Sequence, residues 1–136
     1  MFGETIMLLF GHPYVPSEQF YHIESIEAIR RTPPNSVVTL FFTPENLDII
    51  THLRAHNVRF ALHIETTSDA VIAENLKASY LIVNPKNGSE IQTVADHYLF
   101  DAKVLGYVDS IQHLEKLIEM RFDGAIFPEA IVKITT

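Results

Sequence analysis

Polar residues that could do chemistry follow several apolar segments of this chain. His63 and Glu65 stand at the end of one such segment, Lys86 follows the next, and Asp109 follows a third. If these segments are parallel strands, their carboxyl ends meet at one rim, where α/β proteins gather their functional groups. A histidine, a carboxylate and an amine on one rim can carry out general acid–base catalysis. The candidate catalytic residues are therefore His63, Glu65 and Lys86, and the candidate ligand-binding residues are His12, His63, Glu65, Asn84, Lys86 and Asp109.

Each of these residues also has a structural interpretation. Asn84 and Asp109 suit helix caps, and Glu65 and Lys86 suit solvated loop charges. The Asn87-Gly88 pair predicts a turn after Lys86 rather than an anion site. His63 stands between apolar neighbours, where a histidine often has only a structural role.

The seven histidines raise the question of a metal. His52 and His56 have the four-residue spacing that suits zinc on a helix, but no glutamate lies between them and the chain has no cysteine. We predict a surface pair here, no metal site and no cofactor.

Five apolar segments recur with a regular period, and these are the elements that must position the candidates. Measured between their centres, the spacing is 22, 21, 24 and 21 residues. Most read as continuous apolar runs rich in β-branched and aromatic residues, which is typical of parallel strands covered on both faces. The predicted strands are Ser36–Phe42, Val58–Ile64, Tyr80–Val83, Lys103–Val108 and Gly124–Phe127, with Thr5–Phe10 and Gln19–Ile23 before them.

Segments of helical periodicity lie between the strands. The second helix should place Val71, Ile72 and Leu76 against the sheet, and the third should do so with Ile91, Val94, Ala95 and Tyr98. Ser89 and Gln92 have the spacing of a capping box at the start of the third helix. The predicted helices are Pro44–His56, Ser68–Lys77, Ser89–Leu99 and Asp109–Arg121.

This alternation predicts one α/β domain over residues 1–136, with N-terminal strands and a loop in 1–35 and βα repeats in 36–130. Repeated right-handed crossovers give a mainly parallel sheet. Helices on one side would curl it into a partial (βα) barrel, whereas helices on both sides would give a doubly wound, flavodoxin-like open sheet.

The residues Val38-Thr39-Leu40-Phe41-Phe42-Thr43-Pro44, Ala78–Pro85 and Gly124–Ala130 resemble strands of the class I aldolases that cleave 2-keto-3-deoxy-phosphogluconate, which are (βα)8 barrels. The resemblance supports a barrel-like architecture. It places that family's Schiff-base lysine at Ala125, its glutamate base near Val38 and its arginine partner near Phe42. Without the amine no imine forms, so the aldolase reaction is not expected.

Charge and composition exclude several partners. The net charge is −7 and no cluster of lysine and arginine exists, so we expect no binding to nucleic acids or to membranes. The absence of cysteine and of a secretory signal fits a cytoplasmic protein. Uncapped sheet edges and abundant aromatic residues predict a homo-oligomer, most simply a homodimer. The alternative is that the N-terminal strand and the segment 131–134 cap those edges.

Two function classes stay open. The first is a non-catalytic ligand-binding or assembly protein, which the missing aldolase groups favour. The alternative is a small lyase or isomerase that acts on a small metabolite, phosphorylated or not, at the strand carboxyl ends.

Overall fold

The computed structural model describes residues 6 to 134, and its centre is one sheet of eight strands. Thr5, the first residue of the predicted N-terminal strand, lies outside these residues. Each apolar segment of the sequence contains a strand, and the two short N-terminal segments do as well. The strands are β1 (Leu8–Phe10), β2 (Phe20–His22), β3 (Val37–Phe41), β4 (Phe60–His63), β5 (Tyr80–Val83), β6 (Lys103–Tyr107), β7 (Gly124–Ile126) and β8 (Ile131–Lys133).

Every neighbouring pair of strands in the sheet is parallel, and the order is β1-β7-β6-β5-β4-β3-β2-β8. β1 lies beside β7, and β8 lies beside β2. The short terminal strands therefore cover the edges of the inner six strands. This arrangement leaves the three-residue strands β1 and β8 at the edges of the sheet, and such short edge strands favour self-association less than long uncapped ones.

Four helices connect the inner strands, and all of them pack on one face of the sheet. They are α1 (Leu47–Ala55), α2 (Thr67–Asn75), α3 (Pro85–His97) and α4 (Ile111–Glu119). Their buried residues share one core with every second residue of the strands, such as Leu40, Leu62 and Leu81, whose side chains point to the helices. Within residues 6 to 134 no helix is long and apolar enough to cross a membrane.

The intervening strand residues form a second core on the concave face. This core includes Phe10, Phe20, Ile82 and Ile126. The rings of Phe10 on β1 and Phe20 on β2 lie 5.0 Å apart, so the sheet curls until strands from opposite ends of its order meet. The partial (βα) barrel is confirmed, and the doubly wound alternative is wrong because the helices occupy one face.

All four helices end in the same hydrogen-bonded turn. In α1 the amide of Asn57 donates to the carbonyl of Arg54 and that of Val58 to Leu53, which is the Schellman pattern. The left-handed residue after each helix is usually glycine, because a side chain is disfavoured there. In this chain the four left-handed residues are Asn57, Lys77, Leu99 and Arg121, with φ between 54° and 70°.

The third helix begins earlier than the sequence analysis predicted. Asn84 is its cap and accepts a hydrogen bond from the amide of Lys86, while Pro85 occupies the first helical position. The turn predicted at Asn87-Gly88 is therefore the first turn of α3. Gly88 is needed there because a Cβ would lie 2.4 Å from the ring of Phe122.

The predicted capping box of Ser89 and Gln92 is also wrong. Gln92 lies well inside α3 and is buried, and its side-chain oxygen accepts from the amide of Asp123 at 3.0 Å. Its amide nitrogen donates to Asp96. Gln92 thus ties α3 to the loop before β7 rather than starting a helix.

The helix α2 presents a different face to the sheet than its apolar pattern predicted. Its buried residues are Ala70 and Ala73, whereas Val71 and Ile72 are exposed. In the same way Tyr98, at the end of α3, lies in solvent. Small side chains let a helix approach the sheet closely, and a search for large apolar residues overlooks them.

Candidate functional site

Three aromatic rings meet on the concave face at the carboxyl ends of β2, β3 and β4. The ring centre of Phe41 lies 4.7 Å from that of His63 and 5.5 Å from that of His22. The two imidazole centres are 6.2 Å apart. Strand register produces this contact, because Phe41 is opposite His63 in the ladder and His22 is opposite Thr39. We call His22, Thr39, Phe41 and His63 the strand-end site.

His63 is a neutral imidazole with a buried, unpartnered nitrogen. Its Nε2 atom is inaccessible to solvent and makes no hydrogen bond to any of residues 6 to 134. Burial, together with a smaller effect of the neighbouring His22, lowers the pKa of His63 to about 4. At physiological pH the ring is therefore uncharged, with one nitrogen able to donate a hydrogen bond and the other able to accept one.

Thr39 supplies a second buried polar atom without a partner. Its side chain is fully buried, and its Oγ1 makes no hydrogen bond within the described part of the chain. Val37, two residues earlier on the same face of β3, is an ordinary core residue. An unsatisfied buried hydroxyl costs stability that a valine of similar shape would not cost.

His22 is buried as well, and charged residues flank it at the rim. Burial lowers its pKa, Glu24 opposes that effect, and Lys133 on β8 adds to it. The carboxylate of Glu24 lies 3.7 Å from Nε2 of His22 and is largely exposed. Since Lys133 is also exposed, the strand-end site has an uncharged interior with both charge signs at its rim.

The other two catalytic candidates lie at helix starts rather than in the ring cluster. Glu65 is exposed, and its backbone amide bonds the carboxylate of Asp69 at the start of α2. Lys86 is exposed in the first turn of α3, beside its cap Asn84. Of the candidate catalytic residues, His63 alone is part of the strand-end site.

His12 belongs to a separate cluster after β1. Its Nδ1 accepts a hydrogen bond from the amide of Tyr14 at 3.1 Å. Its ring contacts those of Tyr14 and Phe127, with centres 5.2 and 5.6 Å away. These contacts hold the loop after β1 against the end of β7, and they account for this histidine structurally.

Asp109, Ser110 and His113 form a local group that resembles a catalytic triad in composition. The carboxylate of Asp109 lies 2.8 Å from Nδ1 of His113, and the hydroxyl of Ser110 lies 3.3 Å from that same nitrogen. A relay needs the serine and the carboxylate on opposite ring nitrogens. The group therefore shapes the start of α4 and cannot activate the serine.

The three positions that the aldolase resemblance singled out lie on the helix side of the sheet. Val38 and Ala125 belong to the core beneath the helices, and Phe42 packs against it. None of them can present a side chain to the concave face. The chemistry of that face has to come from other residues.

The sequence analysis did not identify His22, Thr39 or Phe41 as site residues. Side chains of a strand alternate between its two faces, so Thr39 and Phe41 share one face of β3, as Ala61 and His63 share one face of β4. This alternation could have placed Thr39 and Phe41 together. Reading Ser36–Phe42 as a continuous apolar run concealed that signal. His22 stands in a short strand whose place in the sheet depends on distant pairing.

Metal ligands do not cluster in the part of the chain that the structure describes, since no group of three or more histidine, aspartate or glutamate side chains there could hold an ion. The rings of His52 and His56 stack with centres 4.1 Å apart, and Nδ1–H of His56 donates to the carbonyl of His52. These contacts account for the four-residue spacing of His52 and His56 by their packing at the end of α1.

Comparison of the sequence with protein-family models and with curated proteins finds no match to either.

Proposed function

We propose that this chain is a non-catalytic binding protein for a small uncharged organic molecule, held at the strand-end site. The observation that carries the proposal is the pair of buried polar atoms without partners, Oγ1 of Thr39 and Nε2 of His63. Each such atom costs about 1–3 kcal/mol when it is left unsatisfied. Both occur on the concave face: His63 is the last residue of β4, and Thr39, in the middle of β3, is opposite His22, the last residue of β2. The carboxyl ends of the strands are where α/β barrels bind their ligands.

The properties of the site favour an uncharged ligand. The burial that keeps His63 and His22 neutral would also penalise a charged ligand. The chain as a whole carries a charge of −7, which disfavours phosphorylated and other anionic molecules. A carbonyl, amide or hydroxyl group is the kind of hydrogen-bond partner that Thr39 and His63 lack.

Phe41 favours a ligand that also has a flat apolar part. Its side chain is 54% exposed although it stands in the centre of the cluster. An aromatic or unsaturated ring stacked on Phe41 would remove this apolar surface from water. The ligand we propose therefore combines a planar apolar portion with one neutral polar group.

A second candidate function is that of a small lyase or isomerase. The specific observation in its favour is the neutral imidazole of His63, because an uncharged histidine can polarise a carbonyl group by donating a hydrogen bond. We place this candidate second because Glu65 and Lys86 lie at helix starts. The aldolase reaction is not proposed, and borohydride with pyruvate should leave the protein unmodified.

The absence of cysteine agrees with a protein of the reducing cytoplasm, which is the compartment we propose.

Titration with benzamide, benzoate and toluene, followed by nuclear magnetic resonance, tests the binding proposal. Benzamide has a planar ring and a neutral amide, benzoate adds a charge, and toluene lacks the polar group. We expect benzamide alone to shift the signals of Thr39, Phe41 and His63. The variants Thr39→Val and His63→Leu should each weaken this binding by about tenfold, the value of one neutral hydrogen bond.

His56→Gln is the matched control, because it removes an exposed histidine directly after the last residue of α1 and outside the strand-end site. It should bind benzamide as the wild type does. Benzoate binding as tightly as benzamide would overturn the proposed ligand class. Failure of benzamide and of a wider set of neutral aromatic amides and alcohols to bind would overturn the binding function.

A further inference from the structure

An apolar surface without a partner lies on the outside of the fold, between α2 and α3. Four large side chains contribute to it: Val71 and Ile72 on α2 are 41% and 48% exposed, and Tyr98 and Leu99 after α3 are 67% and 84% exposed. We call these four residues the α2–α3 patch. Beside them is a groove of about 420 Å³, lined by Thr67, Ser68, Val71, Ile72, Val94 and Tyr98.

Leu99 is the unusual member of the patch. It occupies the left-handed position after α3, with φ of 54°. The equivalent residues of the other helices are Asn57, Lys77 and Arg121, so an apolar side chain occurs there only in α3. A leucine at this position is disfavoured by its backbone conformation and by its exposure to water. The exposure to water, which is the second of these disadvantages, is removed if another surface covers Leu99.

We propose that a second copy of this chain covers the α2–α3 patch, in a dimer with twofold symmetry. In such a dimer the same patch of each copy meets its equivalent. Tyr98 and Leu99 of one copy would enter the groove between the helices of the other. Each patch must therefore have both a projecting part and a recess. Tyr98 and Leu99 are the projecting part, and the groove is the recess.

Charge favours a second copy at this position. The residues that line the groove include no aspartate, glutamate, lysine or arginine. Two chains that each carry a charge of −7 repel one another, so they associate most easily through a surface whose centre holds no carboxylate. The centres of protein interfaces are depleted of charge and enriched in tyrosine in the same way.

In such a dimer the four residues of the patch would form the centre of a larger interface. An interface of ordinary size covers about 800 Å² on each partner, which is more than the patch alone supplies. Ser68 and Asn75 on α2 and Thr93 on α3 are exposed and uncharged, and they would form part of the rim. Because the patch lies on the helix layer, the dimer leaves the strand-end site open and does not depend on its function.

Sedimentation velocity at increasing concentration tests the proposal on the full chain. We expect the wild type to change from monomer to dimer within the micromolar range. Leu99→Asn should raise the dissociation constant by roughly a hundredfold, because each copy loses a central contact worth about tenfold. The substitution should not impair folding, since asparagine occupies the same position after α1.

Arg121→Asn is the matched control, because it introduces the same residue, asparagine, at the equivalent left-handed position after α4. It should leave the dissociation constant unchanged. A second pair of variants distinguishes an effect on the interface from a general effect of adding a charge to an exposed helix. Ile72→Asp should abolish the dimer, whereas Ile118→Asp, at a similarly exposed residue of α4, should preserve it.

Two results would overturn the proposal. One is a wild-type chain that stays monomeric at high micromolar concentration. The other is a dimer that persists with the same dissociation constant in both Leu99→Asn and Ile72→Asp, since its interface would then lie elsewhere.

Discussion

Mild acid should destabilise this protein through His63. An unfolded histidine titrates near 6.5, whereas burial lowers the pKa of His63 in the folded protein to about 4. Between these values the unfolded state binds a proton that the folded state does not bind. Stability is therefore highest above pH 6.5 and falls as the pH decreases toward 4.

The size of the effect follows from the difference between the two pKa values. At 1.36 kcal/mol per pH unit the complete loss is about 3 kcal/mol, and about 2 kcal/mol is already lost at pH 5. Domains of this size have unfolding free energies of roughly 5–15 kcal/mol, so the loss is a large share of the total. The pKa of His22 is lowered by burial as well, and its effect has the same sign.

Urea unfolding followed by circular dichroism, near neutral pH and at about pH 5, measures this loss. The comparison is between the wild type and His63→Leu, which keeps an apolar side chain in the site but cannot take up a proton. We expect the variant to lose about 2 kcal/mol less than the wild type over the same interval. Titration of carboxylates affects both proteins and is removed by the difference.

His56→Gln provides the control, because it deletes an exposed histidine and should show the same acid sensitivity as the wild type. If the wild type and His63→Leu lost equal stability on acidification, the reasoning about the buried imidazole would be refuted.

Three further predictions concern stability, each measured as the free energy of urea unfolding. Thr39→Val should stabilise the fold by about 1 kcal/mol because it removes an unsatisfied buried hydroxyl, and a loss of stability would mean that this hydroxyl has a partner. Gly124→Ala should destabilise it by about 1–3 kcal/mol, because the new Cβ would lie 2.7 Å from the carbonyl oxygen of Leu8. Arg59→Lys should cost about 1 kcal/mol, since a lysine cannot form the two bonds of 2.9 and 3.3 Å that the guanidinium makes to the partly exposed Glu18. Unchanged stability in either of the last two variants would contradict the contact it tests.

The repeat of strands and helices was determined by the sequence itself. Each of the five apolar segments contains a strand of the sheet, and the four helices lie between them. This works because hydrophobic periodicity and caps are local properties, set by the residue types within a few positions. The cap at Asn84 shows the limit, since the helix it begins starts four residues before the predicted Ser89.

The direction that α2 faces was decided by tertiary packing. The sequence analysis placed Val71 and Ile72 against the sheet, but α2 buries Ala70 and Ala73 instead. How closely a helix approaches a sheet depends on the whole layer, and small residues at the contact carry little hydrophobic signal. The exposed apolar patch is a consequence that the local pattern could not predict.

The strand-end site likewise depends on the tertiary structure. His63 could be selected from the sequence because it stands at the end of an apolar strand. Its contact with His22 and Phe41 exists only because parallel pairing brings three strands into register and curls the sheet around them. Burial, which keeps the imidazole of His63 neutral, is a property of that assembled face and not of any residue type.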